Sequence, residues 1–141
     1  MDFQKILVPV SGTEADEEAM RLACGLAKKT KGKIWAIYVI ALERSLPLDT
    51  TIESEIHKGE GILDCIEQVA EEQDCGIETE ILQAREVGPA VINEAVERGA
   101  DLILMGAKYI MRFGQFSLGN VVPYVLKNAP CSVILYYQPV K

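Results

Sequence analysis

The chain has 141 residues, the size of one domain, and such a chain buries about 68–70% of its unfolded surface without help from disulfides or metal. Its composition, 49% hydrophobic and 25% charged, sits near the globular average and excludes wholesale disorder, a collagen-like repeat and a coiled coil. Fourteen Lys+Arg against 21 Asp+Glu give a net charge of −7, which repels phosphate backbones and anionic lipid, so neither nucleic acid nor a membrane surface is an expected partner.

The first residues, Met1-Asp2-Phe3-Gln4-Lys5, carry no basic and apolar leader, and no apolar run reaches the roughly 18 residues of a membrane span. Ile6-Leu7-Val8-Pro9-Val10 is a short continuous apolar run, the pattern of a strand buried on both faces. Ser11-Gly12-Thr13 breaks it, and Thr13 with Asp16 three residues on resembles a capping box. Ala15, Ala19, Leu22, Ala23 and Leu26 then recur at helical spacing to about Lys28–Lys31, where the lysines suit the helix dipole and Gly32 marks a stop.

Lys33 to Ile40 reads as a second strand, and Leu42–Glu55, with Pro47 and no clear period, as a loop. Ile62, Leu63, Ile66, Val69 and Ala70 mark a second helix to about Gln73; Gly59 and Gly61 cost about 1 kcal/mol each relative to Ala and leave its start unplaced. Ile77 to Leu82 alternates like a strand with one solvated face near a sheet edge. Gly88-Pro89 opens a third helix with Val91, Ile92, Ala95 and Val96 as its apolar stripe and Gly99 as its end. Asp101 to Gly106 is another buried strand, and Ala107–Leu118 a loop of aromatic and basic residues. Asn120 caps a short helix, Val121–Lys127, and Cys131–Tyr137 is the last strand.

Strands alternating with helices imply an α/β fold: a parallel sheet, right-handed crossovers and helices on both faces. Ligands of such doubly wound sheets bind beyond the carboxyl ends of the strands, where the strand order reverses and helix N-termini favour anions. Two strand ends carry suitable residues, Val10-Ser11-Gly12-Thr13 and Met105-Gly106. Gly106 and Gly119 lie 13 positions apart, and between them Lys108 and Arg112 bring two positive charges and no acid, a local reversal in an acidic chain. Neither the P-loop pattern nor the dinucleotide G-x-G-x-x-G occurs.

Ile6-Leu7-Val8-Pro9-Val10-Ser11-Gly12-Thr13-Glu14-Ala15, the strand end Tyr38-Val39-Ile40 and the closing Gly119-Asn120-Val121, Tyr124-Val125-Leu126 and Ala129-Pro130-Cys131 together resemble the universal stress protein family, in order and over the whole chain. The resemblance implies one domain over residues 1–141 and a single-domain doubly wound five-stranded parallel sheet of strand order 3-2-1-4-5. Members of that family that bind ATP carry G-x2-G-x9-G-[ST], with an Asp after the first strand. Here the spacing stands but Tyr109 takes the second glycine's place, Asn120 that of the Ser/Thr, and Ser11 that of the Asp. By resemblance, Val10, Ser11 and Val39 would line the nucleoside side of an ATP or AMP site, and Met105, Gly106, Gly119, Asn120 and Val121 would meet phosphates and sugar. Lys108 and Arg112 join them on charge alone.

An enzyme is not expected. His57 is the sole histidine and reads as exposed, and Asp16-Glu17-Glu18 and Glu71-Glu72 read as solvated helix faces. Cys24, Cys65, Cys75 and Cys131 contain no C-x-x-C and read as reduced packing residues of a cytoplasmic chain, with Cys24 in the core. Cys65 and Cys75 lie ten positions apart, so a continuous helix would hold them apart. The last strand, fifth in the family order, is expected at the sheet edge, where similar proteins dimerise; a homodimer through Cys131–Tyr137 follows. The leading expectation is a regulatory, stress-response protein that acts through contacts with an unidentified protein and whose nucleotide motif has degenerated. The alternative is an ATP- or AMP-binding member whose pocket tolerates Ser11, Tyr109 and Asn120.

Overall fold

In the computed structural model, which describes residues 2–108, 110–112, 115–117 and 119–138, the apolar runs become the strands of one sheet. They are β1 (Lys5–Pro9), β2 (Lys33–Ala41), β3 (Glu78–Ala84), β4 (Leu102–Lys108) and β7 (Ser132–Gln138), in the order β3-β2-β1-β4-β7 and all parallel. This is the 3-2-1-4-5 order once β7 is counted as the fifth strand. The helices α1 (Glu14–Thr30), α2 (Glu53–Glu72), α3 (Val87–Arg98) and α4 (Val121–Asn128) cover its two faces.

Side chains alternate across a strand, so each buried run feeds both faces. Ile6 and Val8 of β1 and Leu102 and Leu104 of β4 pack with Ala19, Met20 and Ala23 of α1 and Leu63 and Ile66 of α2. Leu7, Ile103 and Met105 point the other way, onto Val91 and Ala95 of α3 and Val122 and Val125 of α4. Among the described residues no helix is long and apolar enough to cross a membrane.

Helix α2 corrects one expectation: it begins at Glu53, well before Ile62, so Glu53–Glu55 belong to the helix and not to the loop. It runs through Gly59 and Gly61 because packing outweighs propensity. Gly59 is buried under Tyr38, whose Cδ2 lies 2.7 Å from where a Cβ would stand, so the missing side chain lets α2 close on β2. The 43–50 loop before it is pinned from β3 and the residue after it: Gln83 Nε2 donates to Leu48 O and Thr50 O, and Arg85 Nη1 to Glu43 O and Leu46 O.

A second correction concerns 107–118, expected as a loop. Strand β4 continues to Lys108, and β5 (Ile110–Arg112) pairs antiparallel with β6 (Gln115–Ser117) as a separate two-stranded hairpin. Strands of three residues carry too little alternation to announce themselves.

The two sheet edges differ. Edge strand β3 is trimmed with charge: Glu78 pairs with Lys33 at 3.0 Å and accepts from Trp35 Nε1 at 2.8 Å, while Glu80 pairs with Arg98. Lys33 and Arg98 lie 5.3 and 5.4 Å from the centre of the Trp35 ring. Strand β7 at the other edge is apolar, with Val133, Ile134, Leu135 and Tyr136 half-buried.

Candidate functional site

The strand order reverses between β1 and β4, whose crossovers leave in opposite directions, and a crevice of about 210 Å³ opens beyond their carboxyl ends. Val10 and Ser11 form one wall, Met105 and Gly106 the floor, and Gly119, Asn120 and Val121 the wall opposite. Seven of the eight expected residues therefore meet around one space. Val39 does not join them; it packs on the α3 and α4 side of the core at the end of β2.

Each wall has a local cause. Gly106 is required by packing: a Cβ there would stand 2.3 Å from Ala15 O, so the glycine lets the first turn of α1 lie against β4. Gly119 has φ +76° and open space around it, so backbone conformation, not crowding, selects glycine at the entry to α4. Asn120 precedes α4 with no side-chain cap bond, leaving its amide exposed at a helix N-terminus whose first turn holds no acid.

The turn after β1 is organised by Asp16. Its Oδ2 accepts from three successive backbone amides, Ser11 N–H at 3.1 Å, Gly12 N–H at 2.6 Å and Thr13 N–H at 3.0 Å. The bond to Thr13 is the carboxylate half of the expected capping box. Asp16 is only 2% exposed, and Oδ1 has no hydrogen-bond partner. Burial raises its pKa above the usual carboxylate value, against the three amides, which lower it. The sequence expectation of a solvated acidic face thus fails at Asp16, although Glu18 is exposed. The T-x-x-D spacing was the signal that Asp16 turns inward.

Lys108, at the end of β4, lines the crevice and stands 3.8 Å from Glu14 of α1. Thr13, read as part of the strand end after β1, also lines it, as do Val87 and Val122, which carried no sequence signal. A second hollow of about 280 Å³ shares Val87, Asn120 and Val121 and continues past Gly88 to Tyr124. Tyr109 lies outside the described residues, as does the side chain of Arg112. His57 is exposed, 3.9 Å from Glu60 and remote from the crevice.

The chain as a whole is similar to known proteins. Universal stress protein MJ0531 of Methanocaldococcus jannaschii is 32% identical over 99% of this chain and 85% of its own. A universal stress protein structure from Archaeoglobus fulgidus superposes with a TM-score of 0.80 at 19% identity, covering 94% of this chain and 97% of that one. Another from the same organism, in complex with dAMP, gives a TM-score of 0.75 at 20% identity over 96% and 98%. The family model described as "Universal stress protein family" matches residues 2–136, and with the sheet order and the crevice in place, the chain belongs to the universal stress protein family.

Proposed function

We propose that this chain is a stress-response regulator that takes an adenosine mononucleotide in the β1–β4 crevice and acts by altering its contacts with other proteins. The observation that carries the reading is the crevice itself: an open space of about 210 Å³ where Ser11, Gly106, Gly119 and Asn120 converge at a helix N-terminus. The dAMP complex of the A. fulgidus relative supports the ligand class. Among the described lining residues Lys108 is the cation that can meet a phosphate. The described polar side chains of the lining, Ser11, Thr13, Lys108 and Asn120, include no histidine or carboxylate to activate water, so the role assigned is binding rather than turnover. The reading places the chain in the cytoplasm, where adenine nucleotides and reduced thiols coexist.

Denaturing freshly purified protein and chromatographing the supernatant, followed by calorimetric titration with AMP and ATP, tests this directly. Adenine mononucleotide near one per chain, or micromolar AMP binding, is the expected result. An empty supernatant with no binding heat favours the second reading, a regulator that works through protein contacts alone. Its own support is that Ser11, Tyr109 and Asn120 replace the residues of nucleotide-binding members, and that the Ser11 amide is already taken by Asp16. Under either reading the chain forms a homodimer through β7, an apolar strand that stands at the end of the sheet. Sedimentation at micromolar concentration giving a monomer would remove that proposal.

A further inference from the structure

The two helix ends at the crevice differ in charge. The first turn of α4 holds no acid, whereas that of α1 holds Glu14, Asp16 and Glu17. Asp16 turns inward, onto the Ser11, Gly12 and Thr13 amides. Glu14 reaches across to β4: its Oε2 stands 3.8 Å from Lys108 Nζ, and both side chains are exposed. The backbone fixes that meeting. Side chains on one face of a strand recur at every second residue, so Gly106 and Lys108 share a face of β4. Gly106 is where α1 comes closest, since a Cβ there would stand 2.3 Å from Ala15 O. Ala15 directly follows Glu14, so the contact that seats α1 on β4 also sets Glu14 beside Lys108. Thr13, the residue before Glu14, lines the crevice together with Lys108.

We infer that Glu14 is a specificity-determining residue of the crevice, a fixed carboxylate beside Lys108 that weakens nucleotides in proportion to their phosphate charge and so selects AMP over ATP. The inference rests on the mononucleotide reading of this crevice and says which residue sets the number of phosphates. Lys108 attracts a phosphate, and Glu14 at its side opposes that attraction. Adenosine carries no phosphate and does not sense the carboxylate. AMP brings a charge of about −2 and ATP about −4, so the same carboxylate opposes ATP about twice as strongly. In water, at low salt, one charge about 8 Å from another changes affinity about twofold. Removing the Glu14 charge therefore strengthens AMP about fourfold and ATP about sixteenfold, which narrows the preference between them about fourfold. Such a graded response separates a charge effect from a change of pocket shape, which would act on adenosine as well.

The test is calorimetric titration of the full chain and of Glu14→Gln with adenosine, AMP and ATP, in magnesium-free buffer of about 20 mM ionic strength. The expected result is adenosine unchanged, AMP tighter by about fourfold and ATP by about sixteenfold, with both gains shrinking at about 0.5 M salt. Glu18→Gln is the control: it removes the same charge from the same helix, where Glu18 is exposed and 2.5 Å from Arg21, and leaves all three affinities unchanged. Both substitutions touch only exposed pairs, so each variant melts within about 2 °C of wild type. An ATP-to-AMP ratio that does not move in Glu14→Gln, a gain shared equally by adenosine, or the same gain in Glu18→Gln would overturn the inference and leave AMP binding standing. If wild type and both variants bind none of the three, the nucleotide reading itself falls, and this inference with it.

Discussion

Gly106→Ala adds a single methyl group at the one place where β4 runs beneath the first turn of α1. That carbon would stand 2.3 Å from Ala15 O, 2.5 Å from Ala15 C and 2.9 Å from Ala15 Cβ. Comfortable carbon contacts begin near 3.5 Å, so the helix must retreat by about 1 Å. The obstacle is backbone, which has no alternative rotamer, and α1 moves as a unit that carries Ala15, Ala19, Met20, Ala23, Cys24 and Ala27 out of register with the sheet. Overpacking of a core costs about 1–3 kcal/mol, and a rigid opponent puts this case at about 3 kcal/mol. For a chain of this length that lowers the melting midpoint by about 9 °C. Gly61→Ala is the matching control: it lies within α2 with no atom inside 4 Å of the added carbon, so propensity alone acts and stability rises by about 0.5–1 kcal/mol. Urea titration of both variants reads the two signs. A Gly106→Ala cost below about 1 kcal/mol at unchanged m-value would refute the packing role and return that glycine to the ligand.

Asp16 gives a pH prediction whose sign is fixed by its raised pKa. The folded chain holds this proton more tightly than the unfolded one, so the contribution to stability is fully present below the ordinary value of 3.8 and is lost as pH rises through the folded value. The stability difference between wild type and Asp16→Asn, followed by urea titration from pH 3 upward, therefore shifts against the wild type across that window and then levels; a flat difference would refute it. Asp16→Ala leaves three amides of the crevice turn without their acceptor and costs about 2–4 kcal/mol by thermal melting. Lys108→Ala breaks only an exposed 3.8 Å pair with Glu14, so stability changes by less than about 0.5 kcal/mol. If the crevice holds a phosphate, the same variant weakens AMP about fivefold in calorimetry.

The alternation of strands and helices was legible because the central strands are continuous apolar runs and the first three helices carry apolar stripes, whereas the order 3-2-1-4-5 came from the family resemblance. The start of α2 was not legible, because Ile52 offers no cap and Gly59 answers to Tyr38, a neighbour on another element. Most of the crevice was found from Val10-Ser11 and Gly119-Asn120. Gly106 was read as a ligand contact, whereas its role in the fold is to admit Ala15. Asp16 was half legible: its spacing announced a cap, but only the folded turn shows one oxygen collecting three amides.

The unlike trims of the two sheet edges bear on how many copies can join. A second copy added at β7, as proposed, would meet a strand with apolar side chains, but the rim left facing outward is its own β3, where Glu78 is engaged with Lys33 and Glu80 with Arg98. A third strand system arriving there would have to strip those pairs of water and partners for no apolar gain. If the dimer proposed through β7 forms about a two-fold axis, growth along the sheet ends after that one addition, and the edge strand avoids becoming the seed of a fibre.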